Sequence, residues 1–146
     1  MENRAVISVI SKQVDDENAI EVVTPGKFYK KENCYYAVYK ETEISGMEGT
    51  TTTFKIYPKK FSLLRMGTTT TTMNFENNTK SISLYNTPYG MLELEIETKE
   101  LDINVDDSGG SITLNYFLYI TGQATQQTLL KIKIDTNKFS LKKTSE

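Results

Sequence analysis

The sequence predicts an all-β protein, a closed antiparallel up-and-down barrel of about 8–10 strands. Three observations carry this. Apolar residues alternate with polar ones at a period of two from end to end, and no helical periodicity competes with them. Turn-forming Gly, Pro, Asn and Asp punctuate the alternation at short intervals, so successive strands are antiparallel neighbours. An open sheet of so many strands would leave long unpaired edges, which closure removes.

Read in order, the predicted strands are 4–14, 19–24, 27–32, 34–44, 50–57, 60–66, 69–76, 79–86, 90–105, 111–122 and 126–135. The first breaks come at Pro25-Gly26 and Glu32-Asn33, and a Gly-flanked loop runs from Ser45 to Gly49. Pro58-Lys59, Gly67, Asn77-Asn78, Pro88 and Ser108 to Gly110 supply the remaining turns. Within 90–105, Leu92, Leu94 and Ile96 lie on even numbers but Leu101, Ile103 and Val105 on odd ones, so a bulge near Thr98 to Glu100 must insert one residue. Residues 1–135 form one domain; 136–146, anchored only by Phe139 and Leu141, are expected to be loosely ordered.

Pairing across the turns gives a register. A two-residue turn at Pro58-Lys59 sets Ile56 opposite Phe61, Phe54 opposite Leu63 and Thr52 opposite Arg65. Folding about Gly67 puts Arg65 opposite Thr69, and the Asn77-Asn78 turn puts Met73 opposite Ile82, Thr71 opposite Leu84 and Thr69 opposite Asn86. The core face then holds Phe54, Ile56, Phe61, Leu63, Met73, Ile82, Leu84, Leu92 and Leu94, and Thr52, Arg65, Thr69 and Asn86 make a polar row on the inner wall. An arginine there cannot shed its charge and needs an anion, either Glu41 or Glu43 from the neighbouring strand or a ligand. Tyr116 alternates in phase with Ile112, Leu114, Leu118 and Ile120 and points inward; Tyr36, Tyr39, Tyr85 and Tyr89 are further pocket candidates.

The stretches GKFYKKENCYYAVYKETEISGMEGTTTTFKI, LLRMG, MNF, YNTPYGMLELEIETKELDINV and LNYFLYI resemble the YwiB-like proteins, small bacterial barrels of unknown function with a lipocalin-like (calycin-like) fold. Ser45-Gly46-Met47-Glu48-Gly49-Thr50, Arg65-Met66-Gly67 and Thr87-Pro88-Tyr89-Gly90 are the most specific pieces, and the similarity runs over nearly the whole chain. The resemblance implies a barrel able to hold an internal pocket. It carries no catalytic residue with it, because the family has no established activity.

Composition excludes more than it assigns. With His 0 and Cys 1, no Ser-His-Asp or Cys-His nucleophile can be built, zinc loses its usual ligands, and Cys34 reads as a small buried hydrophobe. A net charge of −2 with scattered basic residues argues against nucleic acid. The first segment lacks the basic start and unbroken apolar run of a signal peptide, and no apolar run is long enough to span a membrane, so the expectation is a cytoplasmic monomer or homodimer. Gly46 to Thr50 lacks a GK[ST] ending and leads into a strand, and Asp102 to Thr113 lacks the glycine and glutamate of a calcium loop; neither binds as those motifs do. No cofactor is implied.

The expected function is binding of a small anionic or amphipathic ligand in the barrel mouth by Arg65, Thr52, Thr69, Asn86, Glu43 and Tyr116. The alternatives are an enzyme using Glu41 or Glu43 as acid or base with Arg65 as anion clamp, and a ligand-free interaction module working through a strand edge or the loop-bearing rim. The absence of histidine and of any catalytic motif leans against the enzyme.

Overall fold

The structure is a computed structural model that describes residues 3–68 and 70–136. Ten strands follow one another: β1 (Asn3–Gln13), β2 (Ala19–Lys31), β3 (Cys34–Lys40), β4 (Thr51–Ile56), β5 (Lys60–Met66), β6 (Thr70–Glu76), β7 (Lys80–Thr87), β8 (Gly90–Asp106), β9 (Gly109–Ile120) and β10 (Gln126–Asp135). Every strand pairs antiparallel with its neighbours in sequence, and β1 closes on β10, so the sheet is a closed up-and-down barrel as the alternation predicted. Among the described residues the one helical element is a 3-10 turn, Glu43–Ser45. The expected tail lies outside the described residues beyond Thr136, whose hydroxyl donates to the Ser108 carbonyl at 2.8 Å.

The segments 19–24 and 27–32 are one strand rather than two. Pro25 and Gly26 do not turn the chain; they stay laddered to Val6 and Ala5 of β1. Gly26 allows this because a Cβ there would stand 2.6 Å from the Val38 carbonyl oxygen and 2.5 Å from Ile7 Cδ1, closer than side chains approach. Pro25 lies just above the point where the β2–β3 ladder ends, at Lys27↔Val38, so its missing N–H costs no ladder bond to β3. Above that point β2 is laddered to β1, and the 3-10 turn packs beside it.

The β4–β5 register is the one read from Pro58-Lys59: Ile56↔Phe61, Phe54↔Leu63 and Thr52↔Arg65. Beyond it two corrections are needed. β5 runs to Met66 and β6 starts at Thr70, so Arg65 faces Thr71 and not Thr69. Gly67 there lies against the preceding loop; a Cβ on it would meet the Gly49 carbonyl oxygen at 2.3 Å.

The second correction concerns β7. The Thr79 N–H donates to the Glu76 carbonyl and Asn78 takes φ 60, so the β6–β7 connection spans three residues, Asn77 to Thr79, with its middle residue left-handed, rather than a two-residue bend. The pairing becomes Thr71↔Tyr85 and Thr70↔Asn86. A slip of one residue turns over a whole strand. Ile82 and Leu84 are therefore outside, 67% and 55% exposed, while Ser83 is buried. Leu92, on the side of Leu94 but close to the strand start, is 43% exposed and is not core either. The remaining core residues read from sequence, Phe54, Ile56, Phe61, Leu63, Met73 and Leu94, are buried.

The predicted bulge is present: the β8–β9 register shifts between Thr98 and Glu100, which lets Leu94, Ile96 and Leu101 all reach the core. The distorted backbone is bonded by a side chain from the β6–β7 connection. Asn77 donates through Nδ2 to the Leu101 carbonyl at 2.9 Å and accepts the Leu101 N–H on Oδ1 at 2.7 Å. Cys34 is buried, as its apolar surroundings predicted.

Candidate functional site

The barrel interior is filled from one end. Phe28, Phe54, Phe61, Phe75, Ile96, Ile112 and Ile132 are all essentially without solvent contact. Tyr39, Phe54, Phe61, Phe75 and Tyr116 form a continuous arc of ring contacts, with successive centroids 5.7, 5.4, 5.9 and 4.9 Å apart. Such pairs add ~0.5–1.5 kcal/mol each beyond their buried area. The arc ends in two tyrosines, and above it lies a cavity of about 140 Å³ lined by both.

Ladder register sets the polar groups around that cavity. Thr52 of β4 pairs with Tyr39 of β3 on one side and Arg65 of β5 on the other, Arg65 pairs with Thr71 of β6, and Thr71 with Tyr85 of β7. Because cross-strand partners share a face, this belt crosses five strands on the inner wall. On the far wall Tyr116 pairs with Thr128, and Thr128 with Gln13, whose side-chain oxygen accepts the Thr128 hydroxyl at 3.3 Å.

Glu41, just past the end of β3, turns inward: it is 6% exposed and its N–H donates to the Thr50 carbonyl at 2.8 Å. The fully buried Thr52 hydroxyl donates to the Glu41 carboxylate. Burial first, and then the charge of the Glu41 carboxylate, push the Tyr39 hydroxyl above the ordinary tyrosine range; Arg65 and Thr52 act in the opposite sense. Tyr116 is raised by burial as well, with Thr128 and the Arg65 charge opposing.

Arg65 lines the same cavity as Glu41, Tyr39 and Tyr116. Its Nε is buried and has no hydrogen-bond partner among the described residues. A buried donor left unmade costs ~1–3 kcal/mol, and more when it is charged.

Of the residues read from sequence, the barrel brings together Thr52, Arg65 and Tyr116, with Glu41 as the inward carboxylate and Tyr39 as the second tyrosine. Glu43 is not on the strand wall: the chain leaves β3 at Lys40, and the 3-10 turn, closed by Gly46 in a left-handed conformation, carries Glu43 outward to solvent. Asn86 is exposed on the outer face because of the β7 register. Thr69 lies outside the described residues. Tyr36 stacks on Tyr29 with Lys55 over its ring, and Tyr89 is 99% exposed. Thr71 was read as inward but paired with Leu84 instead of Tyr85, and Thr128 was missed, although it could have been found by counting in steps of two from Leu130.

Among the described residues no group of His, Cys, Asp and Glu is arranged to hold a metal, and no helix is long and apolar enough to cross a membrane. The crystal structure of the ywiB protein from Bacillus subtilis superposes with a TM-score of 0.80 over 92% of each chain at 24% identity, which establishes the likeness of fold. In sequence, the chain is 28% identical over 116 residues, 79% of each protein, to the uncharacterized beta-barrel protein YwiB of Bacillus subtilis (strain 168). The family signature DUF1934, a domain of unknown function, matches residues 6–145, and the chain belongs to that family.

Proposed function

We propose that this protein binds a small amphipathic molecule in the barrel mouth, holding its anionic group against Arg65. The observation that carries the reading is the buried Nε of Arg65, without a hydrogen-bond partner among the described residues, on the wall of a cavity of about 140 Å³. A carboxylate or phosphate oxygen accepts from such a donor in a charge-assisted hydrogen bond, roughly twice as strong as a neutral one. Apolar side chains face the same space, Leu63 and Met73 beside Arg65 and Val22 and Leu130 from β2 and β10, so a hydrocarbon portion is accommodated beside the anion. Small closed barrels of this kind commonly hold one ligand at the mouth, as lipocalin-like barrels do.

Native mass spectrometry of gently purified full-length protein tests this, with wild type and Arg65→Met side by side. The reading predicts a co-purifying acid on the wild type, absent from R65M, with stability unchanged or raised in the variant because the unmade donor is gone. A large loss of stability in R65M with no change in bound molecules would defeat it.

A further inference from the structure

The mouth carries a second charge that the anion reading leaves unused, and we infer from it that the preferred occupant is a zwitterion, a short branched-chain α-amino acid, with its carboxylate on Arg65 and its ammonium on Glu41. This inference rests on the anion reading for one of its two contacts. Glu41 and Arg65 line the same small space, separated along the wall by Thr52, which is the ladder partner of Arg65 and the donor to Glu41. An anion placed there alone would share the cavity with the buried Glu41 carboxylate, and like charges repel more strongly in a protein's interior than in bulk water. A phosphate monoester would suffer more. An ammonium one carbon from the carboxylate turns that repulsion into a second contact and leaves the filled cavity electrically balanced.

Glu41 has the capacity for it. An ionised carboxylate offers about four acceptor positions. The Thr52 hydroxyl occupies one and the Tyr39 hydroxyl lies beside the same group, so acceptor positions remain for an ammonium. Size gives an upper bound on the ligand. A dry cavity of about 150 Å³ takes a benzene-sized molecule, and the space here is about 140 Å³. Long acyl chains are excluded below by the aromatic arc, whose members Phe54 and Phe75 are 1% exposed. Leu63 and Met73 on one wall and Val22 and Leu130 on the other suit a branched aliphatic side chain.

Three probes built on one carbon skeleton test the assignment: valine, isovalerate, which lacks the ammonium, and isobutylamine, which lacks the carboxylate. Each is titrated calorimetrically into the full chain as wild type, Glu41→Gln and Arg65→Met. The inference predicts that wild type binds valine at least about tenfold more tightly than isovalerate, a difference of about 1.4 kcal/mol, and isobutylamine more weakly than valine. E41Q should bring valine and isovalerate together, and R65M should abolish both. Isovalerate binding as tightly as valine, through Arg65, would overturn the zwitterion and leave the anion reading standing. Binding of neither acid, or binding indifferent to R65M, would overturn both. The wild-type ranking decides the matter even if a variant fails to fold.

Discussion

Thr52 donates its hydroxyl hydrogen to the carboxylate of Glu41 while facing Arg65 across the β4–β5 ladder, so one buried threonine stands between the two charges of the barrel mouth. Thr52→Val keeps the β-branched shape and removes the donor. Because hydrogen bonds to charged groups contribute ~1.5–3 kcal/mol, urea unfolding of T52V should show a loss of that size with an unchanged m value. A neutral effect would mean that water replaces the hydroxyl at Glu41.

Alkaline pH should weaken the fold through its tyrosines. Tyr39 and Tyr116 are both raised, chiefly by burial, and Tyr35 is pushed up to about 12, first by its hydrogen bond to Asp107. A group whose folded pKa exceeds the unfolded value, about 10 for tyrosine, contributes fully below that pH and loses its contribution as pH rises through the folded value. Urea midpoints should therefore fall between about pH 10 and pH 12. Tyr39→Phe should show a smaller fall than wild type; an equal fall removes Tyr39 from the effect.

Gly26→Ala tests the close packing of β2 against β1 and β3. The new Cβ would meet a backbone oxygen, Val38 O, at 2.6 Å as well as Ile7 Cδ1 at 2.5 Å, and only the second can move aside. Overpacking of this kind costs ~1–3 kcal/mol. Adding Ile7→Val should recover only part of the loss, and complete recovery in the double variant would show that the Val38 contact does not matter.

Asn77→Ala should cost about 1–3 kcal/mol, because it removes both hydrogen bonds that hold the backbone at Leu101 beside the bulge. Thermal unfolding measures the loss. Asn77→Asp, which keeps the acceptor but not the donor, should fall between wild type and N77A; an effect of N77D equal to that of N77A would show that the Leu101 N–H bond contributes nothing.

The seam between β6 and β7 should open first. Among the described residues its ladder pairs are Thr70↔Asn86 and Thr71↔Tyr85, and below them the Ser83 and Ser81 hydroxyls donate to the carbonyls of Thr72 and Asn74 instead. Amide hydrogen exchange should be faster along β6 and β7 than along β8 and β9. Ser81→Ala with Ser83→Ala should speed it further, and equal protection across the two seams would contradict this.

Where the sequence carried phase information, the fold could be read from it. Pro58-Lys59 fixed the β4–β5 register, and the shift from even to odd apolar positions located the bulge at Thr98 to Glu100. The threonine run after Gly67 is different, because five identical residues carry no inside or outside label. With that label missing, the register of β6 against β7 rested on the turn and on the apolar match of Met73 with Ile82, and the loop, with Asn78 in a left-handed conformation, is one residue longer than that turn. Ile82 and Leu84 misled because alternation gives two faces without saying which is inward; their outward placement follows only from the register. Arg65 and Thr52 were legible as inward-facing polar residues, whereas Glu43 was lost because the strand ends at Lys40, four residues earlier than its polar-apolar pattern implied.

The account turns on whether the Arg65 Nε–H meets an anion in the barrel mouth. The direct measurement is the Nε–Hε resonance of Arg65 in ¹⁵N-labelled protein, assigned by its loss in R65M, during titration with isovalerate and with valine. The account predicts a saturable shift of that one resonance with at least one of the two acids. A resonance that stays fixed across both titrations would contradict it.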